Sequence, residues 1–193
     1  MPAVLALLVL AQGAAPERPA ARTRDLAQAL SRKLAEFEAR YKAGQPAREK
    51  RVLVTDAELN AYLNLISKLP ASLSDVDVRF DRERIQAKGV LDLDQLQGKL
   101  PSGGMLSTFA FLTGRVAVSV KGRLESQNGF GTFQPEEVKL GSIPLAPSVL
   151  EQIVAAATRS ADNPQGIDIL APFRYPYGMR QVRLSPGRAI VEF

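Results

Sequence analysis

Between residues 75 and 140 the apolar residues fall on every second position, the period of a strand with one buried and one solvated face. Val76, Val78 and Phe80 alternate with Asp75, Asp77, Arg79 and Asp81. After a turn at Asp81-Arg82-Glu83-Arg84, Ile85, Ala87, Gly89, Leu91 and Leu93 point one way, while Gln86, Lys88, Asp92 and Asp94 point the other. Val116, Val118, Val120 and Leu124 continue the pattern to Asn128-Gly129, a dipeptide suited to a tight hairpin turn. Residues 130–133 and 136–140 extend the meander. A chain with this pattern must build an antiparallel sheet and then cover one of its faces.

The covering elements are legible on either side. Leu26, Leu30, Leu34, Phe37 and Tyr41 are spaced for one face of a helix over residues 23–43, closed by Gly44 and Pro46. Val52-Val54 reads as a strand running into Thr55-Asp56-Ala57-Glu58, a capping box that starts a second helix reaching about Lys68. Asn60 and Asn64 share one side of it. A third helix begins at Pro147 with Leu150, Ile153, Val154 and Ala157 inward, and a hairpin turning at Pro186-Gly187 ends the chain. The order of helices, meander, helix and hairpin predicts an α+β fold: a single domain, with a curved antiparallel sheet wrapped on a long helix.

Chemistry is narrowed mainly by what is missing. The 193 residues include no Cys and no His, which removes thiol nucleophiles, Ser-His-Asp triads and Cys/His zinc sites. Two carboxylate pairs, Asp75/Asp77 and Asp92/Asp94, are the residues able to do acid-base work or hold Ca²⁺, but both sit on the polar side of amphipathic strands. Ser102-Gly103-Gly104 lacks the Lys-Ser/Thr of a phosphate loop. The expectation is a protein that is not an enzyme and uses no cofactor and no metal.

Residues 3–11 are uninterrupted and apolar, and small residues follow them, Gly13-Ala14-Ala15, the layout of a secretory signal without a basic start. The run is shorter than the roughly 20 residues that a spanning helix needs. This predicts a signal peptide at 1–15, a basic amphipathic segment at 16–51 and an α+β body at 52–193, located in a periplasm or otherwise outside the cytoplasm. All of the net charge of +5 lies in the second segment: residues 17–51 hold ten basic and five acidic residues, and the body holds 15 of each. Two readings are open for its helix: it packs on the body and shows its charges to water, or its Arg32, Lys33, Arg40 and Lys42 also attract anionic membrane surfaces. Nothing supports a nucleic-acid partner, since no platform of aromatic and basic residues is present.

Residues 96–114 are an apolar insertion between two strands, containing Leu106, Phe109, Phe111 and Leu112 beside Gly103-Gly104. It reads either as a short core helix or as a lid or membrane-contacting lip over an apolar cavity.

Three segments carry a resemblance. They are Val54-Thr55-Asp56-Ala57-Glu58-Leu59-Asn60; the run Phe133 to Pro147, a strand followed by Gly141, an apolar-Pro step and a helix; and Leu170-Ala171-Pro172-Phe173-Arg174-Tyr175-Pro176-Tyr177-Gly178. Together they resemble small bacterial secreted or membrane-anchored proteins of the tubular lipid-binding (TULIP-like) group. That resemblance implies a bent sheet on a helix that holds a lipid or amphiphile in an apolar groove, with no enzymatic activity, in lipid transfer or envelope maintenance. The residues expected to line the groove or its lid are Leu106, Phe109, Phe111, Leu112, Leu34 and Phe37. A ligand-free envelope scaffold or assembly factor is the alternative.

Overall fold

A computed structural model of the chain describes residues 17–67, 69–96, 113–159 and 163–193. The described chain is α+β: three helices and two antiparallel sheets. In chain order the elements are α1 (Glu17–Lys42), β1 (Arg51–Thr55), α2 (Asp56–Leu65), β2 (Leu73–Asp81), β3 (Arg84–Asp92), a 3₁₀ turn (Asp94–Leu96), β4 (Arg115–Gln127), β5 (Phe130–Leu140), β6 (Ile143–Pro144), α3 (Pro147–Thr158), β7 (Phe173–Arg174), β8 (Gln181–Ser185) and β9 (Arg188–Glu192).

The predicted meander is the larger sheet, ordered β2-β3-β4-β5-β6, with β7 pairing with β5. Its register puts Ala87 opposite Val120 and Val78, and Leu91 opposite Val116 and Leu73, so the alternating apolar residues of neighbouring strands share one face. Asn128 and Gly129 both have positive φ, 52° and 83°, as the tight β4–β5 turn requires. Residues 130–140 form one strand where the sequence suggested two, because Pro135 is tolerated beside a bulge: Lys121 faces Glu137 and Gly122 faces Pro135, leaving Glu136 as the extra residue. The bulge has an electrostatic use. Arg84 and Arg123 lie directly opposite each other, a like-charge pair that would repel, and the Glu136 carboxylate accepts from Arg84 at 2.8 Å and lies 3.8 Å from Arg123.

The smaller sheet is ordered β1-β9-β8, so the closing hairpin finds its third strand near the start of the chain. That pairing was not legible locally, because it joins residues 51–55 to 188–192.

The apolar face of the larger sheet is covered in two patches. At one end α3 buries Val149, Leu150 and Ile153 against Leu91, Val138 and Leu140. At the other, Leu59 and Leu63 of α2 and Val182, Leu184 and Ala189 of the hairpin pack with Val78 and Phe80. The long helix α1 packs chiefly on α2 rather than in the sheet, so the face-covering helix of the meander is the 12-residue α3. Helix α1 starts at Glu17, six residues before the predicted Thr23; of its stripe Leu30 and Phe37 are buried, Leu26 and Leu34 half-buried and Tyr41 exposed, and Ala27 is buried beside them.

Helix α2 also closes an edge. Val78 N–H donates to Asn60 Oδ1 at 2.6 Å, and Asn60 Nδ2 donates to the Val78 carbonyl at 2.8 Å. Asn64 repeats this with Val76, at 3.0 Å and 2.6 Å. The match is geometric, since four residues of helix rise about 6 Å and two residues of strand about 6.6 Å, so side chains one turn apart reach alternate strand residues. The next outward carbonyl, of Phe80, accepts from Gly187 N–H at 3.0 Å. The two Asn residues, which a sequence reader would leave on a solvated surface, therefore act as a surrogate strand along β2.

Replacing Asn60 with Ala orphans both backbone groups of Val78, and this is expected to cost about 1–3 kcal/mol of stability by urea unfolding. Asn64→Ala, at a more exposed position, is expected to cost less. Light scattering is expected to show association of the double variant through the freed β2 edge.

Candidate apolar binding slot

The two core patches do not meet. Between them the sheet face bears Leu73 and Val76 from β2, Ala87, Gly89 and Leu91 from β3, and Val118 and Val120 from β4, and these line a cavity of about 190 Å³. Its roof is α3, which contributes Leu150, Ile153, Val154 and Ala157, and Pro70 and Thr158 stand at its ends. The valines of β4 are half-buried here, whereas Leu91, Leu150 and Ile153 are fully buried. Gly89 keeps the floor low: a Cβ built there would lie 3.1 Å from Leu73 Cδ1 and 3.3 Å from the Ser74 carbonyl.

The slot is apolar by construction, with Lys88 the charged residue in its lining. Thr158 is the one hydroxyl in the lining, and it is committed, donating to the Val154 carbonyl at 2.7 Å and accepting from Ile167 N–H at 2.8 Å. A slot with so apolar a lining accepts apolar groups in preference to polar ones. It is smaller than the 300–1,000 Å³ typical of drug-sized ligand sites, so it suits one chain or one small apolar moiety.

A larger cleft, about 730 Å³, opens where β8 crosses the end of the β4–β5 hairpin. Its lining mixes both charges, Glu83, Glu125, Arg123 and Arg183, with Ser126, Gln127 and Gln181. Ser126 ties the two sheets there, accepting from Val182 N–H at 2.6 Å. That cleft is wide and wet, and it lacks the dry lining that a hydrocarbon needs.

The residues singled out from sequence are distributed as follows. Leu106, Phe109, Phe111 and Leu112 fall outside the described residues. Leu34 is half-buried on α1, and the Phe37 ring packs against Phe193 with centroids 4.8 Å apart. Neither lines the slot, because the apolar face of α1 is taken up by α2 and the chain end. Arg32 is exposed; Arg40 pairs with Glu36 at 3.3 Å and donates to the Pro46 carbonyl, and Lys42 pairs with Glu38.

Lys33 has an anchoring position. Its ammonium donates to Glu58 Oε1 at 2.7 Å and to the Leu53 carbonyl at 2.8 Å, fastening α1 to β1 and α2. Glu58 is buried and completes the predicted capping box, accepting from Thr55 N–H at 2.9 Å while its own N–H donates to Thr55 Oγ1 at 3.1 Å. Burial pushes the Glu58 carboxyl up, but the hydrogen bonds from Lys33 and Thr55 outweigh it and hold the group below its ordinary value.

The carboxylate pairs are likewise used in the fold. Asp92 Oδ1 accepts from Asp94 N–H and Gln95 N–H at the 3₁₀ turn, and Asp94 accepts from Gly114 N–H. Asp75 takes Ser74 and Arg115, and Asp77 takes Asn60 and Arg79. Among the described residues no group of acidic side chains is arranged to hold a metal ion, and no helix is long and apolar enough to cross a membrane.

Comparisons with protein-family models, with curated proteins and with solved structures give no significant match.

A carboxyl held below its ordinary value stabilises the fold fully above the unfolded value and loses that contribution as the pH falls through the folded one. The Glu58 contribution is therefore present at neutral pH and drains away below about pH 4.3. Glu58→Gln, which lacks it, is expected to be less stable than wild type at pH 7. The gap in thermal midpoint is expected to narrow steadily in acid.

Proposed function

We propose that the protein binds the hydrocarbon part of a lipid or similar amphiphile in the slot between α3 and the larger sheet. The observation that carries this reading is the lining: apart from Lys88 and Thr158 it consists of apolar residues from three strands, one helix and Pro70, and they border about 190 Å³. Burial of hydrocarbon there gains about 0.8 kcal/mol per CH₂, and no catalyst is required. The absence of Cys and His from the sequence is in keeping with a binding protein.

The resemblance to the tubular lipid-binding group points the same way, with α3 standing for the helix on which the sheet bends. On that reading the chain is an extracytoplasmic, periplasmic protein of lipid transfer or envelope maintenance, delivered by residues 1–15 as a signal peptide. The size of the slot favours a single acyl chain over a whole multi-chain lipid.

Two measurements test this. Organic extraction of the purified full chain, followed by mass spectrometry, is expected to release an acyl-bearing compound in stoichiometric amount. Titration with cis-parinaric acid is expected to saturate at one site in wild type and to weaken at least about tenfold, a loss of about 1.4 kcal/mol, in Ala157→Leu. Because that substitution fills a cavity, the variant is expected to match or exceed the wild-type thermal midpoint. A clean extract together with identical titrations of wild type and variant would return the slot to a loosely filled core and favour a ligand-free scaffold.

A further inference from the structure

Strand β2 is irregular where it borders the slot. Ser74 pairs with Val90 and Asp77 with Lys88, so two residues of β2, Asp75 and Val76, face the single residue Gly89 of β3. Asp75 has φ 53°, and among the described residues it is the one non-glycine in the left-handed region that lies inside a strand; Glu83, Asn128 and Tyr177 lie in turns. The extra residue reverses the alternation of side chains. Leu73 and Val76, three apart, would face opposite sides of an unbroken strand, and here both line the slot.

The bulge is held from both sides. The Arg115 guanidinium donates to Ser74 Oγ at 2.8 Å and to Asp75 Oδ2 at 3.1 Å, and Asn64 takes both backbone groups of Val76. A left-handed residue with a side chain is unfavourable, and such residues persist where the surroundings over-determine them, often beside functional sites. Gly89 completes the arrangement. A Cβ built there would lie 3.1 Å from Leu73 Cδ1 and 3.7 Å from Val76 Cγ2, so these two side chains close over the floor position that has no side chain of its own. Its floor neighbours Ala87, Leu91, Val118 and Val120 carry their own. The notch that a glycine leaves is thereby filled, and the wall on the β2 side is continuous.

We infer, on the reading of the slot as an acyl-chain site, that this bulge is its selectivity wall and that the ligand is a straight hydrocarbon chain in preference to a kinked or branched one. A cis double bond or a branch needs sideways room. The place on the floor where a glycine could supply it is taken by Leu73 and Val76. Packed side chains give way only at a cost, so the slot discriminates by shape as well as by polarity. The polar clamp of Arg115 and Asn64 keeps the wall from drawing back to admit a bend.

The probes are trans-parinaric and cis-parinaric acid, isomers with the same carboxylate and the same number of carbons and double bonds that differ in shape, each titrated into the full chain by fluorescence. Wild type is expected to bind the straight trans isomer about tenfold more tightly than the bent cis isomer, the lower end of what apolar pockets achieve on shape. Leu73→Ala, which opens the notch over Gly89, is expected to bring the two affinities within about twofold, and Val76→Ala to move the ratio the same way. Leu73→Met, of similar volume, is expected to keep the wild-type ratio. The ratio compares two ligands on one protein, so a fall in thermal midpoint does not mimic the effect. Equal affinities in wild type, or an unchanged ratio in both alanine variants, with both isomers still saturating at one site, would overturn the selectivity wall and leave the slot standing. Binding of neither isomer by wild type would overturn the slot and the wall together.

Discussion

The structure depends on one mismatch of lengths. Strand β4 runs 13 residues, about 43 Å, and carries its apolar residues on a single face. The helices that cover that face are short: α3, with 12 residues, spans about 18 Å, and α2, with 10, about 15 Å. No single helix in this arrangement can hide the whole face, so the core divides into two patches. The slot is the seam between them, floored where Gly89 replaces a side chain with space. A packed interior is close to crystalline density, and a seam of this volume persists only because the backbone elements on either side are fixed by other contacts.

Those contacts are largely polar, and they concentrate on α2. Its first turn is capped by Thr55 and Glu58, its carboxylate holds Lys33 of α1, and its Asn60 and Asn64 hold the edge of β2. One ten-residue helix thereby fixes the position of the long helix, of the small sheet and of one side of the large sheet. The interactions are directional, so they set distance and register where apolar packing alone would let the elements slide together and close the seam. The β1–β9 pairing does the same over the longest separation of any strand pair, joining the strand before α2 to the last strand. A strand that close to the chain end has few local reasons to form, and its partner supplies them.

The legibility of the sequence follows the range of the interaction behind each feature. Period-two alternation, the Asn128-Gly129 turn, the Thr55/Glu58 capping box and Pro147 at a helix start are local, and each is found where the spacing put it. The alternation even identified which residues share the slot face. What it could not identify was which helix lies on that face, because amphipathic stripes on α1 and α3 look alike in sequence and differ only in what is already occupied. Leu34 and Phe37 were reasonable groove residues for that reason, and Phe193, at the other end of the chain, is what takes Phe37 away. The Asn60/Asn64 pair was visible as a spacing, i and i+4 on one helix side, but its partner strand lies 12–18 residues on and leaves no mark at the Asn positions. The aromatic contacts were hidden for a related reason: Tyr41 meets Tyr177, and Phe173 and Tyr175 stack over Gly131, only once residues 173–177 lie against β5.

The slot has an energetic consequence for the fold. An empty, fully enclosed aliphatic cavity costs stability in proportion to its volume, about 24 cal/mol per Å³ in well-studied cores, which is an upper bound for an open slot. At about 190 Å³ that is a few kcal/mol, a sizeable share of the 5–15 kcal/mol by which domains are stable. The expense is met away from the slot by the polar fastening of α2 and by the bulge that turns an arginine pair from repulsive to bridged through Glu136. The slot stays open because the elements on either side of it are fixed by specific hydrogen bonds.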